Sequence, residues 1–184
     1  LLVEMMGLQL PGSSFVNPDD PLRDALTKYA SQLSTKITAL GRDYRPLYEI
    51  IDERSIVNSI VGLLATGGST NHTMHIVAYA RAAGIIVNWD DFSALSKVVP
   101  SMTRIYPNGQ ADINHFHAAG GMAFLVKQLL KGELLHEDVN TIVGKGLSHY
   151  TKEPFLDGDT LVWRDGPAES LDLDVVRPIE NPFS

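Results

Sequence analysis

The sequence predicts a helix-rich α/β fold, and three observations predict it. Apolar residues recur at i, i+3, i+4 spacing from Leu22 to Leu40. Two further apolar helical runs meet at Gly67-Gly68. The second of them ends at Gly84, directly before Ile85-Ile86-Val87, an apolar segment with the length and composition of a short buried strand.

Taken in order, Leu1 to Met6 reads as the end of a helix that Gly7 caps, with the Met5-Met6 pair as core packing. Leu10-Pro11-Gly12-Ser13-Ser14 is a turn. Asp20 is the expected N-cap of the long helix, Pro21 its first residue and Gly41 its stop. Pro46 opens a short helix through Ile51, and Asp52 caps the next. That helix carries Ile56, Val57, Ile60, Val61, Leu63 and Leu64 around much of its girth, which predicts burial on more than one side. A second buried helix is expected from Asn71 to Ala83 through Met74, Ile76, Val77 and Ala80. Asp90 or Asp91 starts a helix with Phe92, Leu95 and Val98 that ends before Pro100. Met102 to Tyr106 fits a strand before the Pro107-Asn108-Gly109 turn, Met122 to Leu130 an amphipathic helix, Leu134-Leu135 a packing pair, and Leu161-Val162-Trp163 a strand.

Composition narrows the function. The 184 residues suit one domain, or one piece of a larger one, and 44% hydrophobic with 20% charged residues is the make-up of a globular chain. A formal net charge of −7 without a basic cluster argues against nucleic acid as a partner. No apolar run has membrane-spanning length. With no cysteine, the chain offers no disulfide, thiolate nucleophile or thiolate metal ligand of its own.

The chemistry-bearing stretch is Gly67-Gly68-Ser69-Thr70-Asn71-His72-Thr73-Met74-His75. A glycine pair followed by a hydroxyl cap presents free amides at the positive end of a helix dipole, the layout of a site for phosphate or carboxylate. The same residues also make an ordinary turn and cap. His72 and His75, three apart, fall on one side of the helix and serve as general acid, anion ligand or metal ligand, or as hydrogen-bonded packing residues. Asp112, Asn114, His115 and His117 form a second polar cluster, expected to line a pocket with Gly120-Gly121 beside the first glycine pair, or else to be a satisfied turn. Glu49, Asp52 and Glu53 are carboxylates available for acid–base work, though such residues at helix starts ordinarily complement the dipole.

Together, Gly7-Leu8-Gln9-Leu10-Pro11-Gly12-Ser13-Ser14, Gly67 to His72, Tyr106-Pro107-Asn108-Gly109 and Asp112 to Gly121 carry a resemblance. From Leu1 to Ser184 the chain resembles the family of dihydroxy-acid and 6-phosphogluconate dehydratases. Leu10 to Phe15, Ser69 to His75 and Ala111 to Phe116 look like its phosphogluconate branch.

The resemblance implies a layered α/β/α N-terminal domain, of which residues 1–150 are the central and late part. Residues 151–184 would be its end and the connection toward a β-rich C-terminal domain. It implies dehydration of a 2,3-dihydroxy acid, with an iron–sulfur cluster (a [4Fe–4S] centre) as Lewis acid on the C3 hydroxyl and a base at C2. A divalent cation such as Mg²⁺ is a possible further cofactor. For this branch the expected substrate is 6-phospho-D-gluconate and the product 2-dehydro-3-deoxy-6-phospho-D-gluconate, in the Entner–Doudoroff route. The family's cluster cysteines lie upstream and its serine base downstream, so no catalytic or metal-binding residue is carried over and these residues alone are expected to be inactive. Gly67, Gly68, Ser69, Thr70, Asn71, His72, His75 and His115 are the expected substrate contacts. A cytoplasmic homodimer is expected of the parent. The competing readings are a dihydroxy-acid or aldonate dehydratase, and a non-catalytic anion-binding module.

Overall fold

A computed structural model describes residues 1–184. Eight helices and two small antiparallel strand pairs make up a mixed α/β molecule organised around one helix. That helix is α4 (Glu53–Thr66), after α1 (Leu2–Met5), α2 (Pro21–Ile37) and α3 (Leu47–Ile50). Its start is fixed by a capping box: the Asp52 carboxylate accepts from Ser55 N, and Ser55 Oγ accepts from Asp52 N.

The girth of apolar residues on α4 has a direct structural use. Val61 and Ala65 face the largest core, with Met5, Met102, Phe116, Phe124, Leu125, Leu129 and Tyr150. Ile56, Ile60 and Leu63 face a second core with Leu2, Met6, Ile76, Ala80 and Phe92. Packing on two sides buries ten of the fourteen residues of the helix, as its sequence predicts. Gly62 admits α1 closely, since a Cβ there would lie 2.7 Å from Met5 Cγ.

After α4 come α5 (Thr70–Ala82), α6 (Trp89–Ser96), α7 (Ile113–Ala118) and α8 (Gly121–Lys131). Strands β1 (Asn140–Thr141) and β2 (Gly144–Lys145) pair, a 3-10 turn spans Leu147–Thr151, and β3 (Lys152–Asp157) pairs with β4 (Thr160–Asp165). The register Asp157↔Thr160 leaves Gly158-Asp159 as a two-residue hairpin loop.

Several expectations change. Ile85-Ile86-Val87 is unpaired and Ile86 is 75% exposed, because Ile85 N bonds back to Ala80 O and the segment merely links α5 to α6. Helix α5 is buried on one side only: Ile76 and Ala80 pack inward while Met74 is 55% exposed. α6 is capped by Asn88, not by either aspartate; Asp91 completes the box by accepting from Asn88 N. Met102 to Tyr106 makes only isolated bridges, Thr103 with Val176 and Ile105 with Ala111. The long helix α2 starts at Pro21 on its Asp20 cap but stops at Ile37, three residues early, and Leu40 is fully exposed. Of its apolar stripe only Leu26 is buried, packed with Leu10 and Val16 in a third small core.

The loop after α1 is held from a distance. The Glu4 carboxylate, wholly buried, accepts from Gly12 N, Ser14 N and Ser14 Oγ. Tyr150 Oη donates to Gln9 O, and Trp163 Nε1 to Pro11 O. Burial raises the Glu4 carboxyl above the usual carboxylate range against the lowering effect of those hydrogen bonds.

Candidate functional site

The site grows out of the C-terminus of α4. Gly67 takes a left-handed conformation, φ 57° and ψ 42°, so the chain turns sharply while Gly67 N and Gly68 N still bond to Leu64 O and Leu63 O. The last carbonyls of a helix have no partner within it. Here a crossing segment supplies them: Met102 N bonds to Ala65 O at 2.8 Å, Thr103 Oγ1 to Thr66 O at 3.0 Å, and Asn108 Nδ2 to Gly67 O at 2.6 Å. The glycine turn is therefore clamped from one side.

On its other side Ser69 caps α5, its Oγ accepting from Asn71 N at 3.2 Å. The amides of Ser69 and Thr70 donate to no group of the chain, and the positive end of the α5 dipole lies behind them. His72 and His75 are both exposed on the first turns of α5, and a Cβ on Gly68 would lie 3.3 Å from His72 Nδ1. Partial burial holds the His72 imidazole below its usual pKa, and the neighbouring charge of His75 adds to the effect.

The second polar cluster folds as the N-cap and body of helix α7, not as a turn. Asp112 is its N-cap: Oδ1 accepts from Asn114 N at 2.8 Å and His115 N at 3.1 Å, and His115 Nδ1 lies 2.9 Å from the same oxygen. These bonds from His115 hold the Asp112 carboxyl below the ordinary carboxylate range. His115 also lines an open pocket of about 680 Å³ with Arg104, Asn108, Gly109, Gln110 and Asp174. Asn108 belongs to both features, bonding the glycine turn and walling the pocket, so it ties His115 to the Gly67–His75 stretch.

Gly67, Gly68, Ser69, Thr70, Asn71, His72 and His75 thus follow one another through the turn and the first turns of α5, outside the pocket that His115 lines, and Asn108 joins the two. Asn114 and His117 do not line that pocket. Nor do Gly120 and Gly121, which are buried and turn the chain from α7 into α8. Asp52 is spent as a cap and Glu53 complements the start of α4, while Glu49 lies near β1, its carbonyl accepting from Asn140 Nδ2. Sequence reasoning missed Arg104 and Asn108. The turn residues Pro107-Asn108-Gly109 were the available signal for the second; Arg104 had none.

The residues present do not fit an iron–sulfur cluster or a bound metal ion. There is no cysteine, and nowhere do three His, Asp or Glu side chains converge as a ligand set. The chemistry this arrangement offers is anion binding through amides, imidazoles and one guanidinium.

A helix-rich α/β domain with a clamped glycine turn and a polar pocket beside it is a scaffold for a small polar ligand. Comparison gives the lineage: residues 1–150 match the family model described as Dihydroxy-acid/6-phosphogluconate dehydratase N-terminal, and the chain belongs to that family. It is 62% identical over 184 residues to the phosphogluconate dehydratase of Pseudomonas aeruginosa, covering 100% of this chain and 30% of that protein. The phosphogluconate dehydratase of Escherichia coli K12 gives the same 62% identity and the same coverage. The dihydroxy-acid dehydratase of Synechococcus is 34% identical over 182 residues, 98% of this chain and 30% of that protein. The chain spans about 30% of the length of the curated relatives it matches. No helix is long and apolar enough to cross a membrane.

Proposed function

We propose that the protein to which these residues belong is a phosphogluconate dehydratase, a hydro-lyase converting 6-phospho-D-gluconate to 2-dehydro-3-deoxy-6-phospho-D-gluconate in the Entner–Doudoroff route. The observation that carries this reading is the gap between 62% identity to phosphogluconate dehydratases and 34% to a dihydroxy-acid dehydratase, each over essentially the whole chain. An iron–sulfur cluster, read as [4Fe–4S], and any divalent cation such as Mg²⁺ are assigned to the rest of the parent, since no residue here fits them. Bound there, the cluster would polarise the departing C3 hydroxyl.

The part given to these residues is binding and orientation. The free amides of Ser69 and Thr70, the α5 dipole and the imidazoles of His72, His75 and His115 are donors for an anionic end of the sugar acid. A clamped turn suits that task, because donors that do not reorganise on binding hold the substrate in one pose. A cytoplasmic homodimer completes the proposal.

The test is turnover by the anaerobically purified full-length protein, with 6-phosphogluconate, gluconate and 2,3-dihydroxyisovalerate run side by side. Preference for the phosphorylated acid supports the reading. Preference for gluconate makes the parent an aldonate dehydratase, preference for the branched acid makes it a dihydroxy-acid dehydratase, and either overturns it. A protein with its cluster in place that dehydrates none of them refutes the activity altogether.

A further inference from the structure

We infer that the pocket beside the glycine turn receives the phosphate monoester of the sugar acid, with Arg104 as the residue that selects phosphorylated over unphosphorylated substrate; this rests on the functional reading above. Most guanidinium groups of the chain are committed: Arg45, Arg54 and Arg164 to carboxylates, Arg23 and Arg177 to backbone carbonyls. Arg104 makes neither an ion pair nor a side-chain hydrogen bond, yet it is held in place. Its backbone N–H bonds to Val175 O at 2.9 Å, and its guanidinium lies 4.5 Å from the centre of the Phe183 ring. A stacked guanidinium keeps its in-plane donors free, which is the disposition that recognises phosphate in two parallel bonds.

The other donors of the pocket complement that fork. Asn108 gives one amide hydrogen to Gly67 O and keeps the second. His115 Nδ1 accepts from Asp112 N in the capping box, which leaves Nε2–H as the donor available to a ligand. Fork, amide and imidazole are donors enough for the three terminal oxygens of a phosphate monoester, one more oxygen than a carboxylate presents. Asp174 lines the same pocket and makes no ion pair with Arg104, so its carboxylate opposes a dianion there. The two residues therefore predict effects of opposite sign.

The experiment measures binding and turnover in the full-length protein. Arg104→Gln should weaken binding of 6-phosphogluconate, and of inorganic phosphate as its competitor, about 10- to 100-fold, the usual worth of charge-assisted hydrogen bonds. It should leave KM for gluconate within about twofold, the scatter expected where no such contact is lost. Asp174→Asn should lower KM for the phosphorylated acid. Lys36→Gln, which removes one positive charge from the exposed last turn of α2, should not alter the substrate preference. If Arg104→Gln changes both substrates equally or neither, or if Lys36→Gln shifts the preference as much, the assignment is wrong while the dehydratase reading stands. If the wild-type protein binds both phosphate probes in an Arg104-dependent way but turns over only unphosphorylated acids, the functional reading fails and the pocket assignment stands.

Discussion

Replacing Gly67 with alanine tests how tightly the site is built. A non-glycine residue at φ 57° costs about 1–2 kcal/mol. The new Cβ would also overlap the Asn108 amide, and losing the Asn108 Nδ2–Gly67 O bond costs about 0.5–1.5 kcal/mol more. The sum is about 1.5–3.5 kcal/mol of local opening energy, or roughly 10- to 300-fold faster amide exchange around the turn. Gly84 is the internal comparison: its φ is 80°, but a Cβ there meets nothing within 4 Å, so Gly84→Ala carries the strain alone. Hydrogen exchange followed by mass spectrometry on the full-length protein reads both sites. In an Asn108→Ala background the Gly67→Ala effect should shrink to that of Gly84→Ala. An unchanged effect in that background would show that Asn108 does not clamp the turn.

Two further outcomes follow from local geometry. Asp52→Ala removes the capping box of α4 and should cost about 1 kcal/mol, seen as faster exchange in the first turn of that helix and not in α5. Its partly exposed ion pair with Arg54 adds little. His72→Gln should flatten the acid side of the stability profile. Because the folded-state pKa of His72 lies below its ordinary 6.5, the unfolded chain binds more protons there, so its contribution is present above about pH 6.5 and is lost as pH falls toward the folded value. Measured between pH 7.5 and 5, the stability of His72→Gln relative to wild type should rise as pH falls; a relative stability that drops with falling pH would reverse the sign and refute the assignment.

Elements with strong local signals were legible in the sequence. Asp20-Pro21 and Asp52 set helix starts through side-chain caps, and the all-round apolar pattern of α4 reported its two-sided burial. What was illegible depends on tertiary partners. Ile85 to Val87 has the composition of a strand, but strand pairing needs a neighbour, and none lies beside it. The stripe on α2 signalled a core that these residues supply only at Leu26. The Asp112–His117 cluster hid a helix because it is short and polar, and its capping box uses histidine where glutamate or glutamine is usual. At the site, the glycine turn and its histidines could be read directly. Arg104 could not, because its place depends on Phe183, far along the chain, and on an antiparallel contact with Val175 and Val176.

The central claim is that the clamped turn and its pocket bind the phosphorylated sugar acid. It is tested most directly by hydrogen exchange of the anaerobic full-length protein with and without saturating 6-phosphogluconate. The account predicts slowed exchange at the Ser69 and Thr70 amides and through residues 108–115, with gluconate protecting the second segment much less. Protection elsewhere in the protein, with both segments exchanging at the unliganded rate, would contradict it.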